Sequence, residues 1–245
     1  MRVFVINLAE SEERRESIAV QMARLGVSFG LFEAVDAWRG PSFFAAYDER
    51  KYLANTGRTA SPGEIACYAS HLCLWQRCVA GGEPIVVLED DARILPSFSA
   101  ALAEVEKLIW PYGFIRLQEH GPSRHLRRTL VDRAGNFTLH RFTSYPFGAM
   151  AYAISPRVAD VFIDKSRVLG GPVDLFIKKF WEHGQPLFGL SPSPVENSEL
   201  CGQSTITQRE KRRATARMRV LRFCNKLSAV IGRARFNLRF GGVSP

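Results

Sequence analysis

Along this chain the apolar positions alternate between short unbroken runs and helical spacing. Val3-Phe4-Val5-Ile6 is a continuous β-branched and aromatic run that stops at Asn7-Leu8, which predicts a buried strand. Ser11 stands where a helix N-cap belongs, Ile18, Met22 and Leu25 recur at spacings of four and three, and Gly26 follows as the stop. A second strand is expected over Phe29 to Val35, whereas residues 36–60 carry no clean period and read as irregular chain or short helices. Ser61-Pro62-Gly63-Glu64 has Ser at N-cap, Pro at N1 and Glu at N3, the pattern of a capping box. The helix it opens should run to about Val79 and stop at Gly81-Gly82. Ile85-Val86-Val87-Leu88 is then a short apolar run of the kind found in a central parallel strand covered on both faces, and it ends abruptly in Glu89-Asp90-Asp91.

Phe98, Leu102, Val105 and Ile109 mark one face of a further helix, followed by a strand over Phe114 to Leu117. Residues 119–135 are polar and basic, as in a mobile loop or hairpin arm. Phe147 to Ile154 reads as a strand, Ser155-Pro156 opens another helix, and a helix starting near Pro172 carries Asp174 in its first turn. Ser191-Pro192-Ser193-Pro194 is a non-helical connector into Gln203-Ser204-Thr205-Ile206. Alternating strands and helices predict an α/β domain over residues 1–208, with a mostly parallel central sheet flanked by helices. Ligands of such sheets sit beyond the carboxyl ends of the strands, where the Asn7 turn and the carboxylates after the strands should meet.

Composition narrows the class. With 46% hydrophobic and 23% charged residues among 245, the chain is not disordered, and no apolar run approaches the roughly 20 residues of a membrane span. The N-terminus lacks the long apolar core of a secretory signal, so a cytoplasmic protein is expected. Five cysteines at unremarkable spacing, none in a C-x-x-C pair, read as free thiols rather than a zinc site. The net charge of +9 is uneven. Residues 209–239 hold eleven Lys or Arg and one acid, Glu210, whereas the rest of the chain balances 22 basic residues against 23 acidic ones. Residues 209–245 therefore form a basic tail, in which Met218, Val220, Phe223, Leu227, Val230 and Ile231 alternate with the cations. Three readings stay open: an amphipathic stretch on an anionic membrane surface, a solvated or docked helix, and a nucleic-acid contact. Gly232 is expected to interrupt any single helix.

The candidate chemistry lies at the strand ends. In an extended chain Glu89 and Asp91 point the same way and Asp90 the other, so the outer pair suits a hard divalent cation; a solvated acidic turn or a helix cap is the alternative. Glu64, Cys67 and His71 share one helical face, although the capping box alone accounts for Glu64, and His71 also suits a buried, hydrogen-bonded imidazole. Asp174 is either a reactive carboxylate or a residue favoured by the helix dipole. Arg14 is either a ligand contact or a solvated charge, Asp160 and Asp164 look exposed, and His183 is either a supplementary metal ligand or a helix C-terminal residue.

Val5-Ile6-Asn7-Leu8 with Arg14-Arg15, Gly63-Glu64-Ile65-Ala66-Cys67 running into Ser70-His71-Leu72, and Leu88-Glu89-Asp90-Asp91 together resemble glycosyltransferase family 25. These are the lipooligosaccharide and lipopolysaccharide galactosyltransferases, to which collagen galactosyltransferases are related. Ala151-Tyr152-Ala153-Ile154-Ser155, Pro172-Val173-Asp174 and Gln203-Ser204-Thr205-Ile206 resemble its later blocks in the same order. Ala66, where the family usually has Gly, and Arg116-Leu117-Gln118 depart from the pattern. The resemblance implies a GT-A-like, Rossmann-type domain and an inverting transfer of a hexose, galactose first, from a UDP-sugar to a glycan of a bacterial surface glycolipid. It further implies Mn²⁺ or Mg²⁺ held by Glu89 and Asp91. Asn7, Leu8, Arg14, Glu64, His71, Glu89 and Asp90 would surround the donor, Asp90 alternatively serving structure. Asp174 would act as base, completing the catalytic set with Asp91. It also suits a protein peripheral to the inner face of the cytoplasmic membrane. The alternatives are a sugar-nucleotide-binding scaffold without catalysis, and nucleic-acid binding through the tail. The near-neutral body argues against the latter, so no nucleic-acid partner is expected.

Overall fold

The structure, a computed structural model, describes residues 1–36, 46–118, 127–198 and 216–240. The expected Gln203–Ile206 block and Cys201 lie outside the described residues. In chain order, β1 (Arg2–Asn7) leads through α1 (Glu12–Arg24) to β2 (Gly30–Glu33). Next, α2 (Glu49–Thr56) is capped by the Asp48 side chain and ended by left-handed Gly57. α3 (Pro62–Gly81) opens in the full capping box expected of Ser61 and Glu64 and stops at left-handed Gly82. Then come β3 (Ile85–Glu89), β4 (Ala92–Ile94), α4 (Phe98–Tyr112), β5 (Phe114–Arg116), β6 (Arg128–Ala134), β7 (Phe137–Phe142) and β8 (Ala151–Ile154). The chain continues with α5 (Pro156–Lys165), α6 (Val173–Lys178), α7 (Phe180–His183), β9 (Phe188–Ser191), β10 (Val195–Asn197) and α8 (Ala216–Phe240).

Eight strands form one sheet in the order β2-β1-β3-β8-β5-β9-β7-β6, and β4 pairs with β10 beside it. β2, β1 and β3 are parallel, as are β5 and β9, but β8 runs antiparallel to both its neighbours, and β7 runs antiparallel to both β9 and β6. The sheet is therefore mixed rather than mostly parallel. The connections explain this: β6 and β7 are joined by Gly135-Asn136, with Gly135 at φ 56°, too short for the crossover a parallel pair needs. The basic segment before residue 135 is thus a hairpin arm over its described part, and its return strand carried no expectation.

Period-two alternation splits each inner strand between two cores. Val3, Val5, Val86 and Leu88 pack with Ile18, Met22, Phe98, Val105 and Ile109 on one face of the sheet. Phe4, Ile6, Ile85 and Val87 pack with Leu74, Trp75, Phe162 and Phe180 on the other. This makes a helix–sheet–helix sandwich, and the continuous run of β3 is buried on both faces as its sequence predicts.

Two local expectations fail. Ser11 precedes α1, but its side chain makes no cap hydrogen bond; its carbonyl instead accepts from Asn7 Nδ2 at 3.1 Å. Gly232 does not interrupt the tail helix, which runs unbroken over Ala216–Phe240. A Cβ at Gly232 would stand 2.6 Å from Trp181 Cδ1, so glycine there lets α8 approach α7 closely, and this packing offsets its poor helix propensity. Phe236 anchors the contact, its ring 5.0 Å from Phe180 and 4.4 Å from Phe240.

Gly232→Leu separates these effects. Helix propensity alone favours the variant by about 1 kcal/mol, whereas overpacking against Trp181 costs about 1–3 kcal/mol. We expect a lower thermal unfolding midpoint; a higher one would show that Trp181 yields freely.

Candidate active site

The carboxyl ends of β1 and β3 lie side by side, with Ile6 paired to Glu89. Beyond them Asp90 acts as a tie. Its carboxylate accepts from Asn7 Nδ2 at 2.8 Å and from Arg14 Nη1 at 3.2 Å, joining the end of β3 to the end of β1 and the first turns of α1. Leu8 occupies the same turn, its carbonyl accepting from the Ser11 amide at 2.9 Å. Asn7, Arg14 and Asp90 thus hold one another. Glu89, the last residue of β3, turns the other way toward His71; Asp90 and Asp91 form the turn into β4, so the extended-chain alternation expected to aim Asp91 with Glu89 does not carry past the strand end.

Glu89 opens onto a cavity of about 500 Å³ that Glu64, Cys67 and Asp174 also line. Asn55 and Arg58 also line it, and Phe147, Gly148 and Ala149 form a continuous stretch of its wall. Arg58 pairs with Glu64 through both guanidinium arms, and the Ser61 amide donates to the same carboxylate at 3.1 Å. Burial would raise the Glu64 carboxyl, but these bonds outweigh it and hold the group below its ordinary value. Asp174 goes the opposite way. Burial pushes its carboxyl above the ordinary value and the Glu89 charge adds to the shift, opposed by the Leu175 and Gly148 amides. The Cys67 thiol is raised by burial and then by Glu89, Asp174, Asp91 and Glu64, so four carboxylates bear on one sulfur. Asp91 belongs to this group electrostatically, although it does not line the cavity itself; its carbonyl accepts from the Ser198 amide at 3.4 Å.

His71 is fully buried behind Glu89, with Nε2 3.3 Å from Glu89 Oε1 and Nδ1 2.8 Å from the Tyr152 hydroxyl. It reaches the cavity through Glu89 rather than directly. Arg116, 2% exposed, braces the cavity wall: its guanidinium donates to the Gly148 carbonyl at 2.6 Å and the Phe147 carbonyl at 2.9 Å, and lies over the Tyr145 ring. Gly148 sits at φ 104° with Arg116 and Gln118 where a Cβ would be, so the wall requires glycine there. His183 is a core residue, not a ligand. Nε2 bonds the Ile177 carbonyl at 3.0 Å, the ring packs on Phe162 and Phe176, and burial lowers its pKa to about 4.

The sequence expected Asn7, Leu8, Arg14, Glu64, His71, Glu89, Asp90, Asp91 and Asp174 around one donor site; of these Glu64, Glu89 and Asp174 line the cavity, whereas His71 stands behind Glu89 and the others lie outside the lining. It missed Arg58, Arg116, Tyr152 and the 147–149 wall. Arg116 stood out in the sequence only as a departure from the family pattern and as a lone cation inside the apolar run Phe114–Leu117.

A profile of "Glycosyltransferase family 25 (LPS biosynthesis protein)" matches residues 1–177. The chain belongs to glycosyltransferase family 25. Among its relatives, "Inactive glycosyltransferase 25 family member 3" of Homo sapiens is 28% identical over 168 residues, covering 62% of this chain and 27% of that protein. "Lacto-N-neotetraose biosynthesis glycosyltransferase LgtE" of Neisseria gonorrhoeae is 30% identical over 209 residues, covering 79% of this chain and 72% of LgtE. "Lipooligosaccharide biosynthesis protein lic2B" of Haemophilus influenzae is 32% identical over 107 residues, or 43% of this chain and 39% of that protein. The chain spans about a quarter of the length of the human and bovine relatives, 27% in each case. Within the region matching family 25, Glu64, Cys67, Glu89 and Asp174 come from three sequence blocks and meet at one cavity.

The raised Asp174 carboxyl has a stability consequence. The folded chain binds this proton more tightly than the unfolded chain, so the ionised form destabilises the fold above the folded pKa. No cost remains below the ordinary value of 3.8. Asp174→Asn should therefore unfold at a higher temperature than the parent at pH 7, with the difference closing below about pH 4. A pH-independent difference in thermal melts would overturn this.

Proposed function

We propose that this family 25 chain is a GT-A-type hexosyltransferase that moves galactose from a UDP-sugar to a glycan of a bacterial lipooligosaccharide or lipopolysaccharide, with inversion at the anomeric carbon. The observation that carries the reading is the convergence of Glu64, Glu89 and Asp174 on one cavity at the strand ends. The names of LgtE and lic2B support the acceptor class. Asp174 takes the proton of the acceptor hydroxyl as that oxygen attacks the anomeric carbon; the burial that raises its carboxyl makes it a stronger base than a solvated aspartate. Glu64, kept ionised by Arg58, gives the cavity a fixed acceptor edge for sugar hydroxyls. Asn7, Leu8, Arg14 and Asp90 shape the turn facing the nucleotide end of the donor.

The donor set suits Mn²⁺ or Mg²⁺. Glu89 and Asp91 offer hard carboxylate oxygens, and both bear on the Cys67 thiol from nearby. These two residues would hold the ion, which when bound neutralises charge on the UDP leaving group. A second reading, a sugar-nucleotide-binding scaffold without turnover, draws support from the word "inactive" in the human relative's name. Hydrolysis and transfer assays across UDP-sugars, with Mn²⁺, Mg²⁺ or chelator, decide between them. The parent should turn over only with cation, and Asp91→Asn should lose on the order of 10²-fold or more in kcat. UDP binding without turnover in the parent selects the scaffold, and absence of both removes the reading.

Helix α8 supports a membrane surface as the place of reaction. No helix among the described residues is long and apolar enough to cross a membrane. One face of α8 docks through Gly232 and Phe236, and Asn225 reaches Asn55 of the cavity lining at 3.4 Å. The other face exposes Val220, Phe223, Leu227, Ile231 and Leu238, at spacings of three, four, four and seven, between 43% and 84% exposed. Arg219 and Lys226 border this stripe on one side and Arg235 and Arg239 on the other, the arrangement of an interfacial helix on anionic lipid. Each cation near such a surface adds about 1 kcal/mol. The full chain should sediment with anionic vesicles and not with neutral ones, and Phe223→Ser with Leu227→Ser should weaken this without lowering the unfolding midpoint. Equal sedimentation of parent and variant would exclude this face as the contact.

A further inference from the structure

Behind Glu89 the polar atoms of three buried side chains stand in line. Trp75 Nε1 is 2.8 Å from the Tyr152 hydroxyl oxygen, that oxygen is 2.8 Å from His71 Nδ1, and His71 Nε2 is 3.3 Å from Glu89 Oε1. Trp75 and His71 are 0% exposed and Tyr152 is 1% exposed, so water does not complete their bonding.

The direction of the chain follows from counting protons. An indole N–H only donates, so the Tyr152 oxygen accepts from Trp75. Tyr152 has one proton of its own and, among the described residues, only two hydrogen-bond partners, Trp75 and His71. Were the His71 proton on Nδ1, two donors would face the Tyr152 oxygen and the tyrosine proton would be buried without an acceptor, a loss of about 1–3 kcal/mol. Every group is satisfied in one arrangement alone. Trp75 donates to Tyr152, Tyr152 donates to His71 Nδ1, and His71 Nε2–H donates to the Glu89 carboxylate.

The same count bears on another use of these atoms. Cys67, His71 and Glu89 place one ligand atom each within 4.8 Å of one another, a grouping able to hold a metal. Ligation by His71 Nε2 would move its proton to Nδ1 and leave the Tyr152 proton buried without a partner. The hydrogen-bond chain therefore disfavours His71 as a ligand and assigns it to Glu89.

We infer that Trp75, Tyr152 and His71 are positioning residues, a one-way hydrogen-bond chain anchored in the core that fixes the His71 tautomer and aims the Glu89 carboxylate at the cavity. The role of Glu89 rests on the transferase reading, whereas the tautomer of His71 does not. Supporting shells of this kind typically matter 10–100-fold for metal affinity or activity.

Two measurements on the full chain test the inference. Ring-nitrogen NMR, with the His71 signals assigned by their absence from His71→Gln, should find the proton on Nε2 without metal or nucleotide; a proton on Nδ1 overturns the chain whether or not the protein is an enzyme. Then His71→Gln and His71→Asn are compared by Mn²⁺ titration and by UDP-sugar kinetics. Gln extends an amide N–H toward the Nε2 position and Glu89; Asn extends only to the Nδ1 position and Tyr152. Asn should therefore weaken Mn²⁺ binding and kcat by on the order of tenfold more than Gln does, with little difference in donor KM. Equal losses in two variants of equal unfolding midpoint would reduce His71 to core packing. A parent that binds neither Mn²⁺ nor UDP, with the proton still on Nε2, would remove the transferase reading and keep the hydrogen-bond chain.

Discussion

The site depends on the abrupt end of β3, where a fully buried strand turns acidic within one residue. Leu88 is 0% exposed, and Glu89, Asp90 and Asp91 follow it. Three consecutive carboxylates repel one another, and the fold answers by sending them to different partners. Asp90 is taken by Asn7 and Arg14, Glu89 by His71, and Asp91 lies in the turn beyond them, close enough for its charge to bear on Cys67. Without the Asp90 tie, the ends of β1 and β3 and the start of α1 would lack their shared polar contact. The aim of Glu89 would then rest on its place in the sheet and on His71.

Charge in the cavity is balanced by placement rather than by number. Glu64 is held ionised by Arg58, while Asp174, one wall away, is pushed toward its neutral form by burial and by Glu89. Two carboxyl groups lining one space are thereby given opposite proton affinities, the condition under which one serves as a fixed acceptor and the other as a base. The sequence places both in helix first turns. A residue in a first turn is explained equally well by capping, and only the tertiary neighbours separate the two cases.

What the sequence made legible follows from how local each determinant is. The capping box of α3, the doubly buried run of β3 and the cap of α5 depend on neighbours within four residues, and their patterns are present in the chain. The order of strands is not local. β8 lies between β3 and β5 in the sheet, antiparallel to both, and nothing in Ala151–Ile154 encodes that placement. Gly232 is instructive because the local rule pointed the wrong way: its poor helix propensity is real, but the ring of Trp181 occupies the space a side chain would need. Arg116 was visible as an anomaly in an apolar strand, whereas its partners, the carbonyls of residues 147 and 148, lie some thirty residues away and could not be read.

That buried arginine also affects how the cavity of this chain can vary. Its bonds go to backbone carbonyls, so it fixes the path of the 147–149 wall while remaining indifferent to the side chains the wall carries, Gly148 excepted. Phe147, 58% exposed, can therefore be exchanged with little effect on the fold while the contour of the cavity changes, whereas Ala149 is buried in the core. A rigid backbone with a replaceable side chain lets the shape of the cavity drift through single substitutions, leaving Glu64, Glu89 and Asp174 where they are.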